Sequence, residues 1–180
     1  MAVLEIHKFP DKILTQVATE IADIDGRVAG LLNSMVDTMY GAKGIGLAAP
    51  QVGMLERALV MDTDADNRGK RLIKLVNPVI TEASGEITTE EGCLSVVNYT
   101  AEVTRPSKIL LTGWTTGHKE IEMEFKGLEA VCIQHEIDHL EGTLFIDKIS
   151  KLRREIYRNR VKKMARQEPV WPDRDDVPRI

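Results

Sequence analysis

Residues 127–142 read GLEAVCIQHEIDHLEG, and this stretch does most to decide the architecture. Its apolar residues recur with helical spacing and the run stops at Gly142, so we predict a helix over 127–141. The helix contains the pattern H-E-x-x-H. His135 and His139 are four positions apart, which places them about 6 Å apart along the axis and on one face. Both imidazoles can therefore reach a single metal ion.

The residue types of this pattern suit a catalytic metal. Neutral imidazole is a ligand for iron, zinc, cobalt and nickel. Glu136 lies on a neighbouring face of the helix, where its carboxylate can take a proton from water and later return it without being a ligand. The alternative is two histidines on a solvated helix surface, without chemistry.

Two histidines leave the coordination of a metal incomplete, and known H-E-x-x-H proteins complete it in different ways. The metzincin pattern places a third histidine six residues after the second, where this chain has Phe145, so that class is excluded. Thermolysin-like peptidases use a downstream glutamate, for which Glu155 is the near candidate. A metallopeptidase that cuts internal peptide bonds is therefore one alternative function.

Each of the two cysteines is a further candidate for the third ligand. Cys132 lies about 10.5 Å along the helix from His139, which is too far for a metal–sulfur bond of about 2.3 Å, so we assign it to the wall of a pocket. Cys93 occurs in EGCLS (91–95). A thiolate from this distant segment would give three protein ligands and leave one open position, as catalytic sites do. The alternative for Cys93 is a buried structural cysteine.

A glycine-rich segment, GIGLAAPQ (44–51), precedes both motifs. It contains G-x-G-x-x-A, but a dinucleotide fingerprint follows a strand and opens a helix. This segment follows a predicted helix and runs into Pro50, so the context is wrong. We expect its glycines to admit the backbone of a ligand, with Gln51 as an amide donor nearby.

The rest of the chain indicates an α+β protein. We predict helices over 25–41 and from Ser150 to about Gln167, with an irregular tail at 169–180. Between the helices lie short segments rich in β-branched or alternating residues, so that strands cluster rather than alternate with helices. The predicted strands are 57–62, 71–80, 108–114 and 120–125. The charged, proline-containing start and the lack of a long apolar run favour a cytoplasmic protein without a membrane segment.

Together GIGLAAPQ, EGCLS and QHEIDH carry a resemblance to the peptide deformylases, and their forms look most like the bacterial type. The similarity extends from about Phe9 to Arg166. It implies one catalytic domain over 1–168, in which antiparallel sheets surround a central metal-binding helix, with an N-terminal and a C-terminal helix. It also implies a hydrolase that removes the N-formyl group from the N-terminal formylmethionine of newly made polypeptides and releases formate.

The resemblance also implies the roles of particular residues. The metal ligands would be Cys93, His135 and His139, with Fe²⁺ as the native metal and Zn²⁺, Ni²⁺ or Co²⁺ able to replace it. Glu136 would be the general base and then the acid, while the Gln51 side chain and the Leu94 backbone N–H would hold the oxyanion. Gly46 would pair with the substrate backbone. The methionine pocket would be lined by Ile45, Leu128, Val131 and Cys132.

Two further features of the sequence bear on the site. Family members of this type commonly have proline two residues after the serine of EGCLS, where this chain has Val97. The departure leaves the ligand set intact and affects the expectation for substrate residues beyond methionine. Arg105 and Asp138 are candidates for a pair that supports the ligands from behind.

The predicted C-terminal helix is strongly basic. Residues 148–166 contain nine Lys or Arg against one acid, a net charge of +8 in a chain whose net charge is −4. Such asymmetry favours an anionic partner. Resemblance to deformylases that dock through this helix implies the ribosome, with the enzyme as a monomer. The alternative is a solvated basic helix. We expect Leu152, Ile156 and Met164 to hold its other face against the body.

Overall fold

Three helices and seven strands form the part of the chain, residues 3–64 and 66–164, that this computed structural model describes. The helices are α1 (Gly26–Gly41), α2 (Leu128–Leu140) and α3 (Lys151–Met164). The strands are β1 (Gly46–Ala48), β2 (Ala58–Met61), β3 (Ile73–Ser84), β4 (Ile87–Cys93), β5 (Val96–Arg105), β6 (Lys108–Trp114) and β7 (Glu120–Lys126). The end of the predicted last helix, the boundary at 168 and the tail 169–180 lie outside the described residues.

The strands form a five-stranded antiparallel sheet, ordered β1-β2-β3-β6-β7, and a separate antiparallel hairpin of β4 and β5. Helix α2 packs on the larger sheet, and its apolar residues share one core cluster with the strands. Two more clusters lie under α1 and under α3. The prediction of an α+β fold, with antiparallel sheets around the histidine-bearing helix, is confirmed.

Helix α1 forms where its apolar spacing predicted it. The Asp25 side chain caps the start by accepting a hydrogen bond of 3.0 Å from the Val28 N–H, which satisfies one of the free donors of the first turn. Val28, Leu32 and Met35 are fully buried. The helix supports β1 and β2 from the side opposite to α2.

The β4–β5 hairpin is an element that sequence analysis did not predict. Its outer residues are Thr and Glu, and its exposed positions alternate with half-buried ones instead of forming an apolar run. The alternation itself was a usable signal, because one-sided burial is typical of antiparallel strands. The hairpin matters for function because β4 ends at Cys93.

The packing of α3 differs from the prediction. Leu152 and Ile156 are 71% and 60% exposed, so they do not face the body. Instead Tyr157 and Val161 are buried. The ring of Tyr157 lies 4.7 Å from that of Tyr99 in β5, and an aromatic pair of this kind contributes about 0.5–1.5 kcal/mol beyond the area that it buries. The helix is therefore turned so that Leu152 and Ile156 point outward.

Candidate metal centre

The side chains of Cys93, His135 and His139 converge between the end of β4 and the inner face of α2. One potential ligand atom from each lies within 4.8 Å of the others. The Cys93 Sγ is 3.2 Å from the His139 Nε2, and the two imidazole centroids are 5.1 Å apart. All three residues are buried. Consecutive turns of α2 supply the histidines, while the last residue of β4 supplies the thiol from 42 residues before His135.

The electrostatics of these three groups suit a cation. Burial, together with the negative charge of Glu136, raises the pKa of the Cys93 thiol to about 12. Burial likewise holds the pKa of His139 well below its ordinary value, so that its imidazole is neutral. A divalent cation among them would favour the thiolate, because metal binding displaces the thiol proton. Within residues 3–64 and 66–164, the buried His135 Nε2 has no hydrogen-bond partner. A Cys/His/His donor set with such a nitrogen fits a divalent transition metal.

Glu136 lies next to these ligands and is fully buried. Neither of its carboxylate oxygens has a hydrogen-bond partner in the described part of the chain. Burial is the main reason that the pKa of this carboxyl lies well above its ordinary value. Such an arrangement suits a group that exchanges protons with a substrate rather than one that holds the fold together.

Gly46 in β1 makes room for the Glu136 carboxylate. A Cβ atom at position 46 would clash with the Glu136 Oε1 and would lie 2.9 Å from the Cys132 Sγ. The backbone of β1 can therefore approach α2 this closely only without a side chain at this position. The glycine of the GIGLAAPQ segment thus has a packing reason in addition to the predicted contact with substrate.

A buried ionic network supports the ligands from behind. The His135 Nδ1 lies 2.9 Å from the Glu91 Oε2, and an N–H at Nδ1 leaves Nε2 free to face the metal position. Arg105 donates to Glu91 at 2.9 Å and to Asp138 at 2.8 Å. Burial raises the pKa of Glu91, but hydrogen bonds from Arg105 and His135 outweigh it and leave that pKa below its ordinary value. The predicted contact between Arg105 and Asp138 is therefore present, and Glu91 joins it to a ligand.

Gln51 reaches the same site from the short helical turn Ala49–Val52. Its side-chain oxygen accepts the Ala48 N–H at 2.8 Å, which fixes the orientation of the amide. Its Nε2 donates to the Ser95 Oγ at 3.2 Å and lies 3.6 Å from the Cys93 Sγ. The amide N–H groups therefore point at the candidate metal centre.

The comparisons with known proteins agree with this geometry. The family model for polypeptide deformylase matches residues 3–155. A peptide deformylase of Thermodesulfovibrio yellowstonii is 49% identical over 162 residues, which cover 90% of this chain and 98% of that protein. The chain belongs to the polypeptide deformylase family. It is a metal-dependent hydrolase that removes the N-formyl group from newly made polypeptides, as its motifs predicted.

Solved structures of deformylases share the fold. The crystal structure of a peptide deformylase from Legionella pneumophila has a TM-score of 0.85 at 39% identity and covers 93% of this chain and 100% of its own. A peptide deformylase from Ehrlichia chaffeensis, in complex with actinonin, also has a TM-score of 0.85, at 36% identity, and covers 94% of this chain and 100% of its own.

The residues predicted to line the methionine pocket of this deformylase differ in their burial. Ile45, Val131 and Cys132 are buried in the core cluster shared by the large sheet and α2. Leu128 is 49% exposed and lines an open cavity of about 460 Å³ at the start of α2. Leu128 therefore lies at the surface, whereas the other three are core residues that do not line this cavity.

The structure separates Glu155, the alternative third ligand of a thermolysin-like site, from the other potential ligands. Glu155 is exposed on α3, and its carboxylate is not part of the cluster of Cys93, His135 and His139. The supporting role of Glu91 was not predicted from the sequence. Its position could have indicated that role, because Glu91 opens the EGCLS motif two residues before Cys93.

Proposed function

We propose that Cys93, His135 and His139 bind one divalent metal, Fe²⁺ natively, in an enzyme that acts on formylmethionine at the start of new chains. Zn²⁺, Ni²⁺ or Co²⁺ would substitute. The observation that carries the proposal is the convergence of these three ligand atoms within 4.8 Å beside the unpartnered carboxylate of Glu136. When bound, the metal supplies Lewis acidity, which polarises a carbonyl and lowers the pKa of water.

Glu136 moves the proton in this proposal. Its carboxylate takes a proton from the attacking water as the new bond to the formyl carbon forms. It then delivers that proton to the amide nitrogen as the carbon–nitrogen bond breaks, which yields formate and a free amine. A carboxyl whose pKa is raised by burial is matched to both steps, since it can hold the proton between them.

The oxyanion that forms on the formyl oxygen would be held by two donors, the Gln51 side-chain amide and the Leu94 backbone N–H. Preorganised donors of this kind stabilise a developing charge without reorganising during the reaction. The anchored side-chain oxygen of Gln51 supports the assignment, because it leaves only the amide N–H groups to face the centre.

The substrate would lie along β1 as an added strand, with the backbone of Gly46 as its partner. The methionine side chain would enter the apolar pocket formed by Ile45, Val131 and Cys132, with Leu128 at its outer side. The burial of the first three supports a dry, shape-selective pocket.

A pair of variants tests the ligand set against the peptidase alternative. Cys93→Ala should lose bound metal and release no formate from a formyl-methionyl peptide assayed without oxygen. Glu155→Ala should keep both properties, because its side chain is exposed on α3. Loss of metal from Glu155→Ala with retention in Cys93→Ala would reverse the assignment. No formate release by the parent protein with any of the four metals would refute the activity.

We further propose that α3 docks on the ribosome from the cytoplasm while the enzyme acts as a monomer. Among the described residues of the helix, Arg153, Arg160, Lys162 and Lys163 are exposed. Leu152 and Ile156 lie exposed between these charges, which adds an apolar contact to an electrostatic one. In residues 3–64 and 66–164, each helix is too short or too polar to cross a bilayer.

A further inference from the structure

A short N-terminal segment, residues 7–9, joins the two loops that carry the proposed oxyanion donors. The His7 N–H donates to the Gln51 carbonyl at 2.8 Å, and the Phe9 N–H donates to the Ser95 carbonyl at 2.8 Å. The two acceptors are 44 residues apart in sequence. Residues 7–9 therefore act as a strap that ties these two loops together.

Between these two bonds, the side chain of Lys8 makes a contact of a different kind. Its Nζ donates to the Leu94 carbonyl oxygen at 2.6 Å. This is a charge-assisted hydrogen bond, which is shorter and stronger than one between neutral groups. Lys8 is itself exposed, whereas Leu94 is buried, so a surface cation is bound to the backbone of an interior turn.

The Leu94 carbonyl and the Ser95 N–H belong to one peptide group. In a planar trans peptide they point in opposite directions. The Ser95 N–H faces the Cys93 Sγ at 3.4 Å. Donation of a hydrogen bond to the carbonyl polarises the whole amide and strengthens donation by its N–H. The positive charge of Lys8 is thus relayed through one peptide group to the sulfur of a proposed metal ligand.

We propose that Lys8 is a positioning residue: through the Leu94–Ser95 peptide it orients and strengthens the hydrogen bond to the Cys93 sulfur. The proposal rests on the proposed ligand set. Hydrogen bonds to a ligating sulfur tune the metal centre. The same contact holds the turn that carries the Leu94 N–H, the second proposed donor to the oxyanion, so its loss acts on turnover more than on substrate binding.

The test uses the cobalt-loaded protein, in which a ligating thiolate produces a sulfur-to-cobalt charge-transfer band in the near ultraviolet. A hydrogen bond to sulfur lowers the energy of its lone pair. In Lys8→Met this band should therefore shift to longer wavelength, and Lys8→Arg should restore its position. We expect kcat of Lys8→Met to fall about 3- to 10-fold at nearly unchanged KM, below the 10- to 100-fold typical of groups that directly hold a ligand.

Lys12→Met is the matched control, because Lys12 is an exposed lysine four residues further along the same segment. It should change neither the band nor kcat. A band that stays in place in Lys8→Met overturns the inference, even if kcat falls, since a structural role alone would leave the sulfur unchanged. If the parent cobalt protein lacks the band, the Cys93 ligand itself fails, which distinguishes failure of the proposed function from failure of the role of Lys8.

Discussion

At the scale of single residues, the carboxylate of Glu136 stands apart because it is buried without a partner among the described residues. We expect Glu136→Ala to retain its metal and to lose about 10²- to 10⁴-fold in kcat, since general acid–base help is worth that much. Metal content and formate release measure the two effects. Glu141→Ala, a change at the exposed end of the same helix, should keep nearly full activity. Near-parental turnover of Glu136→Ala would contradict the assignment.

Gly46 leaves the space that the Glu136 carboxylate occupies. Gly46→Ala would push a methyl group against the Glu136 carboxylate, so we predict a loss of turnover of about 10-fold or more, as misplacement of a catalytic group by about 1 Å produces. Gly30→Ala is the control, because a Cβ at position 30 of α1 meets nothing within 4 Å. That change should stabilise the protein by up to about 1 kcal/mol. Both variants are compared by thermal unfolding and by kcat. Equal kcat values would disprove the close approach of the Gly46 backbone to the Glu136 carboxylate.

Glu91 links His135 to Arg105, and both links depend on its charge. In Glu91→Gln the side chain keeps its shape but loses the charged acceptor, so the ring of His135 is held less firmly. We expect the affinity for metal to fall about 10- to 100-fold. Competition with a chelator measures the metal affinity of the variant and of the parent protein. Glu90→Gln is the neighbouring control, since Glu90 contacts the Thr100 hydroxyl outside the site. Equal affinities of the two variants would show that Glu91 does not support the ligand.

At the scale of secondary-structure elements, α3 is joined to the metal centre by a column of rings. Tyr157 contacts Tyr99 at 4.7 Å between centroids, Tyr99 contacts Phe145 at 6.2 Å, and Phe145 stacks on His135 at 6.0 Å. The column crosses the hairpin that carries Cys93. Helix α3 is therefore anchored to the core through Tyr157 and Val161, while its other face is exposed.

Tyr157→Ala should lower the free energy of unfolding by about 3 kcal/mol, the lower end for loss of a large buried aromatic side chain. For a chain of this length that corresponds to roughly 6–12 °C in Tm. Tyr157→Phe loses only the hydrogen bond of 3.3 Å to the Val97 carbonyl, so it should cost about 1 kcal/mol or less. Leu152→Ala, on the exposed face, should change stability by less than about 0.5 kcal/mol. A larger effect at Leu152 than at Tyr157 would mean that the helix packs by its other face.

At the scale of the whole molecule, charge is distributed unevenly. The basic residues concentrate at 148–166, while the chain as a whole is acidic. Two of these basic side chains are tied to the body, Lys148 to Asp138 at 3.1 Å and Arg154 to Asp147 at 2.8 Å. The exposed ones further along α3 are the better test of docking. Deletion of residues 150–180 would open the core at Tyr157, so charge reversal is the cleaner change.

We predict that the protein sediments with ribosomes at low salt and that binding weakens steeply as salt rises, because each neutralised phosphate releases counterions. The double variant Lys162→Glu/Lys163→Glu should bind more weakly and with a shallower salt dependence. Its hydrolysis of a short formyl peptide should be unchanged. Lys70→Glu/Lys119→Glu makes the same charge change at exposed lysines in two loops outside α3 and should bind like the parent. Equal binding by the two double variants would rule out α3 as the docking element.

The local patterns of the chain were sufficient for much of the fold. Helix α1, helix α2 and the strands β2, β3, β6 and β7 follow from periodicity and from Gly, Pro and Asp breaks, because these depend on neighbours within a few residues. The β4–β5 hairpin was not predicted, because its alternation, although a usable signal, is weak until a partner strand defines which face is buried. The orientation of α3 was wrong for a similar reason: Leu152 and Tyr157 compete for the interior, and only the position of Tyr99 decides between them.

For the candidate site, the sequence by itself determined what local spacing can determine. His135 and His139 lie on one face of a helix because they are four residues apart, and three motifs together identified the family. Only the tertiary structure decided which distant groups join them. It brings Cys93 to His139, sets Glu91 behind His135, and places Lys8 on the Leu94 carbonyl. These contacts join segments 44 or more residues apart, and their geometry depends on the packing of the hairpin and the strap, which no local pattern encodes.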